Sequence, residues 1–391
     1  MADSKKFYLP TEVRFGRGSV ECLGDLVDRN QKVFLVTDPG VEKAGLAGKA
    51  QAILEGAGAS ITVFDQVEPN PSAELVEKAL KALKETGATM VVAVGGGSAL
   101  DLSKVVAALA TNPGTLEEYQ WNGRQFEQES LPFVAVPTTS GTGSEVTRVA
   151  VIVDRNTKKG VGHDRLFPRV AVVDPGMTVG LPRGLTAATG MDALSHAVEA
   201  YVSLGASPFT DGWALTAAEL IGRSLLRACV AGDDLDAREQ MALASTLAGV
   251  AMDQGGLGVV HSMAGPLCSY YHLPHGLACA ILLPYGMSFN LAAKPERMAR
   301  LASALGCETN GLSALEAGRE AVAAVYRLVR ETGLALDLAK FGIKESDADL
   351  VAEETTKMFL IKNNPRRPSV AECRALFLAV LNGEEPLSCT F

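Results

Sequence analysis

The chain contains five histidines, and three of them, His196, His261 and His275, join one aspartate, Asp192, as candidate metal donors. Asp192 and His196 stand four positions apart in the stretch Gly190-Met191-Asp192-Ala193-Leu194-Ser195-His196-Ala197-Val198-Glu199. On a helix, both project from one face. One carboxylate oxygen and three imidazole nitrogens make a four-donor set suited to a divalent metal. An ordinary buried histidine beside an ordinary helix aspartate would leave the same pair, so the pair alone does not decide. Glu199 lies on the same polar line and can orient a ligand from behind. Pro274 and Gly276 fix the backbone on either side of His275, while His272 is a candidate proton relay or lid residue, or merely polar lining.

Residues 184–222 and 239–293 contain no lysine or arginine, and together they hold all four candidate donors. Burial accounts for part of this, because lysines avoid cores. A bound divalent cation adds a second reason, since neighbouring ammonium groups would repel it. Met191, Leu194, Val198 and Val202 form an apolar helix face, with Asp192, His196 and Glu199 away from it. A buried carboxylate beside an imidazole requires a partner, which a metal would supply.

A second group of residues points to a phosphate-bearing ligand. Gly95, Gly96, Gly97, Ser98 and Asp101 follow the β-branched run at 90–94. Glycines let the backbone approach a phosphate, and a helix N-terminus offers free N–H groups. The pattern is neither the usual dinucleotide fingerprint, because Leu100 replaces its third glycine, nor a P-loop; a tight strand-to-helix turn would use the same glycines. Asp38 ends the run at 32–38, where a carboxylate can bond a ribose hydroxyl and repel a 2′-phosphate, although Asp38-Pro39-Gly40 is also good turn chemistry. The hydroxyl-rich segment with Thr138, Thr139, Thr142 and Ser144 follows another run, 133–136, and suits a polar ligand. Lys159 can pair with a cofactor phosphate or stand solvated at the surface.

The elements that must carry these groups divide the chain in two. Runs at 32–38, 60–64, 90–94, 133–136, 147–153 and 169–173 read as strands, with a helix at 73–86 whose Leu75, Ala79, Leu80 and Leu83 share a face. Strand alternating with helix indicates a parallel sheet covered on both sides, with ligands at the carboxyl ends of its strands. Beyond Pro182 the strand signal stops and Ala/Leu-rich helices are expected at 186–203, 209–229, 237–254, 312–334 and 369–381. The expected division is therefore an α/β domain at 1–183 and an all-helical domain at 184–391, in line with two domains for 391 residues.

Composition narrows the partners. Lys plus Arg number 36 against 45 Asp plus Glu, for a formal charge of −9, and no basic stripe favours nucleic acid. No apolar run reaches the roughly 18 residues of a membrane span, and the first residues lack a signal-peptide core. The seven cysteines form no Cys-x-x-Cys pair and read as reduced thiols of a cytoplasmic protein. Cys268 and Cys279, near the histidines, read as small buried filler.

Together Asp38, the glycine turn at 95–101, and the segments 137–147, 190–201, 256–261 and 274–276 resemble, in order and spacing, the iron-dependent (group III, iron-containing) alcohol dehydrogenase family. The resemblance runs nearly end to end. It implies an N-terminal dinucleotide-binding α/β domain and an all-α C-terminal domain in a dehydroquinate synthase-like architecture, with the active site in the cleft between them. It maps the metal ligands onto Asp192, His196, His261 and His275, and the nicotinamide-cofactor contacts onto Asp38, Asn70, Gly97, Ser98, Thr138, Thr139 and Lys159. It also implies NAD in preference to NADP, iron(II) with zinc(II) or another divalent ion as alternatives, and a small alcohol or aldehyde as substrate in a homodimer or higher homo-oligomer. One departure stands out. Many members carry a second histidine four residues after the third ligand, and here that position is Gly265, which is expected to widen the pocket and remove a proton carrier. The rival readings are a dehydroquinate-synthase-like lyase, which needs basic residues for a phosphorylated substrate, and a non-catalytic nucleotide-binding assembly subunit.

Overall fold

The structure, a computed structural model, describes residues 5–155 and 157–389; the first four residues, part of the segment read for a leader, lie outside it. Two compact units result, one spanning Leu9–Leu181 and the other running from Pro182 onward together with residues 5–8.

In the first unit the strands are β1 (Glu12–Phe15), β2 (Lys32–Val36), β3 (Ser60–Phe64), β4 (Met90–Gly95), β5 (Phe133–Pro137), β6 (Val149–Asp154), β7 (Thr157–Gly162) and β8 (Val170–Val173). Its helices are α1 (Pro39–Lys43), α2 (Leu46–Gly56), α3 (Ala73–Thr86), α4 (Gly97–Leu109) and α5 (Leu116–Gln120). Six strands form one parallel sheet in the order β1-β8-β5-β4-β2-β3. Alternate side chains build two cores. Phe34, Val36, Val91, Ala93 and Ala135 face one layer with residues of α3 and α4, while Val33, Leu35, Val92, Val94 and Val136 face the other with residues of α2. Burial on both faces is why these strands read as continuous β-branched runs. Helix α3 begins where Ser72 Oγ accepts the Leu75 N–H (3.2 Å) and stops at Gly87, whose φ of 66° ends the turn.

The connection order places a switch point in the sheet. The chain steps outward from β2 to β3, then returns to the opposite side of β2 for β4. Ligands of such sheets bind where the order reverses, outside the carboxyl ends of the two strands. Those ends carry Asp38 after β2 and Gly95–Gly96–Gly97 at the end of β4, and Thr37 Oγ1 ties them by donating to the Val94 carbonyl at 2.8 Å.

One expected strand behaves differently. The run at 147–153 was expected among the sheet strands, but β6 instead pairs antiparallel with β7 in a separate ribbon. Its residues explain this: Val149 and Val151 are exposed while Ala150 and Ile152 are buried. That alternation suits a ribbon with one covered face rather than a strand buried on both.

The second unit contains α6 (Arg183–Val202), α7 (Pro208–Val230), α8 (Leu235–Gly255), α9 (Val259–Tyr271), α10 (His275–Leu291), α11 (Pro295–Ala304), α12 (Ala314–Thr332), α13 (Ala348–Lys357) and α14 (Val370–Leu381). No strand occurs among its described residues. Helix α6 is buried on every side from Gly190 to Val202, which accounts for the lack of cations in that stretch. Met191, Leu194, Val198, Ala217, Ile221, Leu225 and Ala248 belong to the single core of this unit. Residues before the first strand join this unit, not the sheet: Phe7 stacks on Phe209 at 5.6 Å, and the Gln254 amide pairs with the Tyr8 backbone at 3.2 and 2.8 Å.

Candidate functional site

Three helices deliver the candidate metal donors. Asp192, His196 and Glu199 come from α6, His261 from the first turn of α9, and His275 is the first residue of α10. Gly276 allows the last approach, because a Cβ there would collide with the Ala188 carbonyl oxygen of α6. The start of α10 is thereby pressed against α6, and His275 reaches Asp192.

The geometry converges on one point. The Nε2 atoms of His196, His261 and His275 lie 3.7, 3.6 and 3.5 Å from Asp192 Oδ1. These separations are too long for hydrogen bonds, and Asp192 Oδ1 is buried without a hydrogen-bond partner among the described residues. Two donors on a tetrahedral ion, each about 2.1 Å from it, stand about 3.4 Å apart. The donor spacing is therefore that of atoms sharing a cation, and an orphaned carboxylate oxygen is what such a cation would satisfy. Burial pushes the Asp192 carboxyl up, but His196, His275 and His261 outweigh it and hold it well below the usual carboxylate range. It stays an anion.

Glu199 stands behind His261. Its Oε1 accepts the Val260 N–H at 2.8 Å, and its Oε2 accepts the His261 N–H at 3.2 Å and bonds His261 Nδ1 at 2.6 Å. The carboxylate thus satisfies orphan donors at the start of α9, where the helix dipole favours an anion. In the neutral ring, donating the Nδ1 proton to Glu199 leaves a lone pair on Nε2, the nitrogen facing Asp192.

Two features were missed or misjudged from sequence. Cys279, read as filler, has Sγ 3.7 Å from both His261 Nε2 and His275 Nε2, and its sulfur clusters with donor atoms of Asp192, His261 and His275. Its position four residues after His275 was the available signal. Gly265 does not leave the expected gap: Met358, from beyond α13, puts its Cε 2.9 Å from where a Cβ would stand. His272 lies outside the cluster, exposed, in the left-handed conformation (φ 53°) that ends α9.

The nucleotide-loop residues gather in the other unit. Gly96 precedes α4, whose N-terminus has no side-chain cap. Thr138 N–H donates to the Gly95 carbonyl at 3.0 Å, drawing the loop after β5 against the loop after β4. A Cβ on Gly96 would stand 3.3 Å from Thr139 Cγ2, and one on Gly97 only 2.7 Å from Thr142 Cγ2. The glycines are needed for this close packing. Asn70, at φ 59°, donates its N–H to Ser98 Oγ at 3.3 Å. Asp38 Oδ1 accepts the Gly40 and Val41 N–H groups at 2.9 and 3.0 Å, so it performs the turn role, while Oδ2 lies toward Gly95.

Three residues expected to contact the cofactor have other partners. Ser144 Oγ donates to Asp101 Oδ1 at 2.6 Å and the Val151 N–H to Asp101 Oδ2 at 2.9 Å. Buried Lys104, which the sequence did not single out, lies 3.8 Å from Asp101 and donates to Thr147 Oγ1 and the Val149 carbonyl. Asp101 and Ser144 therefore tie α4 to the loop before β6. Lys159 places Nζ 3.8 Å from the Trp121 ring centre, a cation–π contact.

A parallel α/β unit with phosphate-type loops at its switch point, together with an all-helical unit carrying an Asp/His cluster, defines the dehydroquinate synthase-like architecture. Within it, the chain belongs to the iron-containing alcohol dehydrogenase family. Residues 10–175 match the family model "Iron-containing alcohol dehydrogenase" and residues 186–381 match "Fe-containing alcohol dehydrogenase family, C-terminal". The chain is 41% identical over 378 residues to the 1,3-propanediol dehydrogenase of Klebsiella pneumoniae, covering 95% of this chain and 97% of that one. It is 38% identical over 370 residues to the NAD-dependent methanol dehydrogenase of Bacillus methanolicus, covering 94% and 97%. A solved 1,3-propanediol oxidoreductase is similar with a TM-score of 0.93 at 39% identity, covering 96% of this chain and all of that one. Among the described residues no helix is long and apolar enough to cross a membrane.

Proposed function

We propose that the protein is a metal-dependent, NAD(H)-linked alcohol dehydrogenase that also runs as an aldehyde reductase on small alcohols and aldehydes. The observation that carries this is the convergence of three imidazole nitrogens on the unpartnered Oδ1 of Asp192. Asp192, His196, His261 and His275 would hold the ion; carboxylate and imidazole donors suit iron(II) and zinc(II) alike. A divalent cation there supplies Lewis acidity that eases loss of the alcohol proton, and NAD supplies the hydride acceptor.

The chain's own residues do the rest. Glu199 holds His261 in the tautomer that points a lone pair inward. Asp192, kept anionic, offsets the charge of a cation placed among the imidazoles. On the cofactor side, the glycines at 95–97 and the start of α4 receive the phosphates, with Ser98, Asn70, Thr138, Thr139 and Thr142 around them. Asp38, with Oδ1 engaged in the turn and Oδ2 toward Gly95, would bond a ribose and repel a 2′-phosphate, which favours NAD over NADP. Asp101 and Ser144 hold that loop in shape, and Lys159 stacks on Trp121. The protein acts as a cytoplasmic homodimer or higher homo-oligomer, a setting in which its cysteines stay out of disulfides.

Metal-replete protein is incubated with NAD and a panel of short primary and secondary alcohols and diols, and NADH absorbance is followed. NADH formation with at least one of them is expected. Its absence across the panel, with metal content confirmed, would remove the dehydrogenase reading.

A further inference from the structure

The donor cluster contains one more group than a four-ligand site needs. Cys279 is fully buried on α10, one helical turn after His275, so both side chains fall on the same face. Its Sγ lies 3.7 Å from His261 Nε2 and 3.7 Å from His275 Nε2, the two nitrogens that face Asp192 Oδ1. One donor atom from each of Asp192, His261, His275 and Cys279 lies within 4.8 Å of all the others.

Two explanations compete for a thiol at that place. Cys279 does belong to the apolar core of the helical unit, but packing alone gives it no reason to sit equally close to two ring nitrogens. As a hydrogen-bond donor its single proton can serve one of them. A shared ion accounts for both distances at once: with about 2.3 Å to sulfur and about 2.05 Å to nitrogen, tetrahedral donors stand about 3.6 Å apart. The orphaned Asp192 Oδ1 is the independent sign that a cation belongs at the centre of this group. Cys268 differs, because its Sγ approaches the outer nitrogen of His275, Nδ1, at 3.7 Å. It faces the back of the ring.

Resting on the metal-centre reading above, we infer that Cys279 Sγ is a donor available to that centre in place of His196, and that it tilts the site toward zinc(II). Asp192, His261 and His275 are common to two four-donor sets, completed either by His196 or by Cys279. The set with His196 offers only oxygen and nitrogen. The set with Cys279 adds a soft sulfur donor, which zinc accepts more readily than iron(II) does. Binding through sulfur displaces the thiol proton to solvent, so the exchange is one metal ion in and one proton out.

The test is cobalt(II) titration of the metal-stripped full-length protein, read by elemental analysis and by absorption spectroscopy. The wild type is expected to take up cobalt and to show the intense near-ultraviolet charge-transfer band of a cobalt–thiolate bond. Cys279→Ser and Cys279→Ala are expected to bind cobalt without the band, and Cys268→Ser to keep it. Zinc affinity in Cys279→Ser should fall by more than the roughly 10–100-fold that loss of an outer partner costs, with iron(II) affinity changing less. Cobalt bound by the wild type without the band, or a band that survives in Cys279→Ser, would overturn the inference and leave the metal centre standing. No cobalt uptake by the wild type would overturn the centre itself, and this inference with it.

Discussion

Replacing Glu199 with glutamine exchanges one carboxylate oxygen for an NH2 group in a buried site and removes one charge, with consequences that follow from the hydrogen bonds. The carboxylate serves three donors: the Val260 N–H at 2.8 Å, the His261 N–H at 3.2 Å and His261 Nδ1 at 2.6 Å. An ionised carboxylate only accepts, whereas glutamine offers one accepting oxygen and one donating NH2 group. With the oxygen turned toward His261, the NH2 group meets the Val260 N–H and a buried donor is orphaned, costing about 1–3 kcal/mol. With the amide reversed, the NH2 group faces His261 Nδ1, the ring must switch tautomer, and Nε2 gains a proton where a lone pair is needed. Either arrangement weakens metal binding by about 10–100-fold, equivalent to about 1.4–2.8 kcal/mol. Zinc titration in competition with a chromophoric chelator reads the affinity, and urea melts of the metal-free protein read the stability. Unchanged zinc affinity in a folded Glu199→Gln protein would refute the orienting role.

Gly276→Ala puts a methyl group into the Ala188 carbonyl, which should destabilise the fold by about 1–3 kcal/mol and lower bound metal by shifting His275; denaturant melts and elemental analysis check both. Gly97→Ala brings a Cβ to 2.7 Å from Thr142 Cγ2, and a packing cost of about 1.4 kcal/mol or more should raise the KM for NAD at least about tenfold. Steady-state kinetics at saturating NAD should show kcat changing far less. Asp38→Gly should move the NAD-to-NADP ratio of kcat/KM at least about tenfold toward NADP, while losing only a few tenths of a kcal/mol of capping. An unchanged ratio removes Asp38 from cofactor selection.

The sheet was largely legible because its inner strands are buried on both faces and show as β-branched runs. The exceptions have physical causes. β1 is short, with Val13 and Phe15 exposed, so it carries no such run, and β6 was given to the sheet although its alternating burial belongs to a ribbon. In the helical unit, Asp192 and His196 were readable as a pair through helix periodicity. Helices α9 and α10 were not, since they are apolar nearly all round and hold Pro266 and Pro284 inside, leaving no amphipathic period. The four-residue spacing of His275 and Cys279 was visible, but it places them on one face only once α10 is known to start at His275. Gly265 shows the limit of reading one position alone, because the space it opens is filled by Met358, far along the chain. Asp101 and Ser144 teach the converse: polar residues beside a loop that invites a ligand are here bonded to each other.

In the proposed reaction, redox activity depends on one cation held by Asp192, His196, His261 and His275. The direct measurement is NADH formation from a short alcohol by protein stripped with a chelator and then titrated anaerobically with iron(II). Activity is expected to vanish on stripping and to return in proportion to metal, levelling off at one ion per chain, with Asp192→Ala neither binding iron nor recovering. Full NADH formation by protein shown to be free of metal would contradict it.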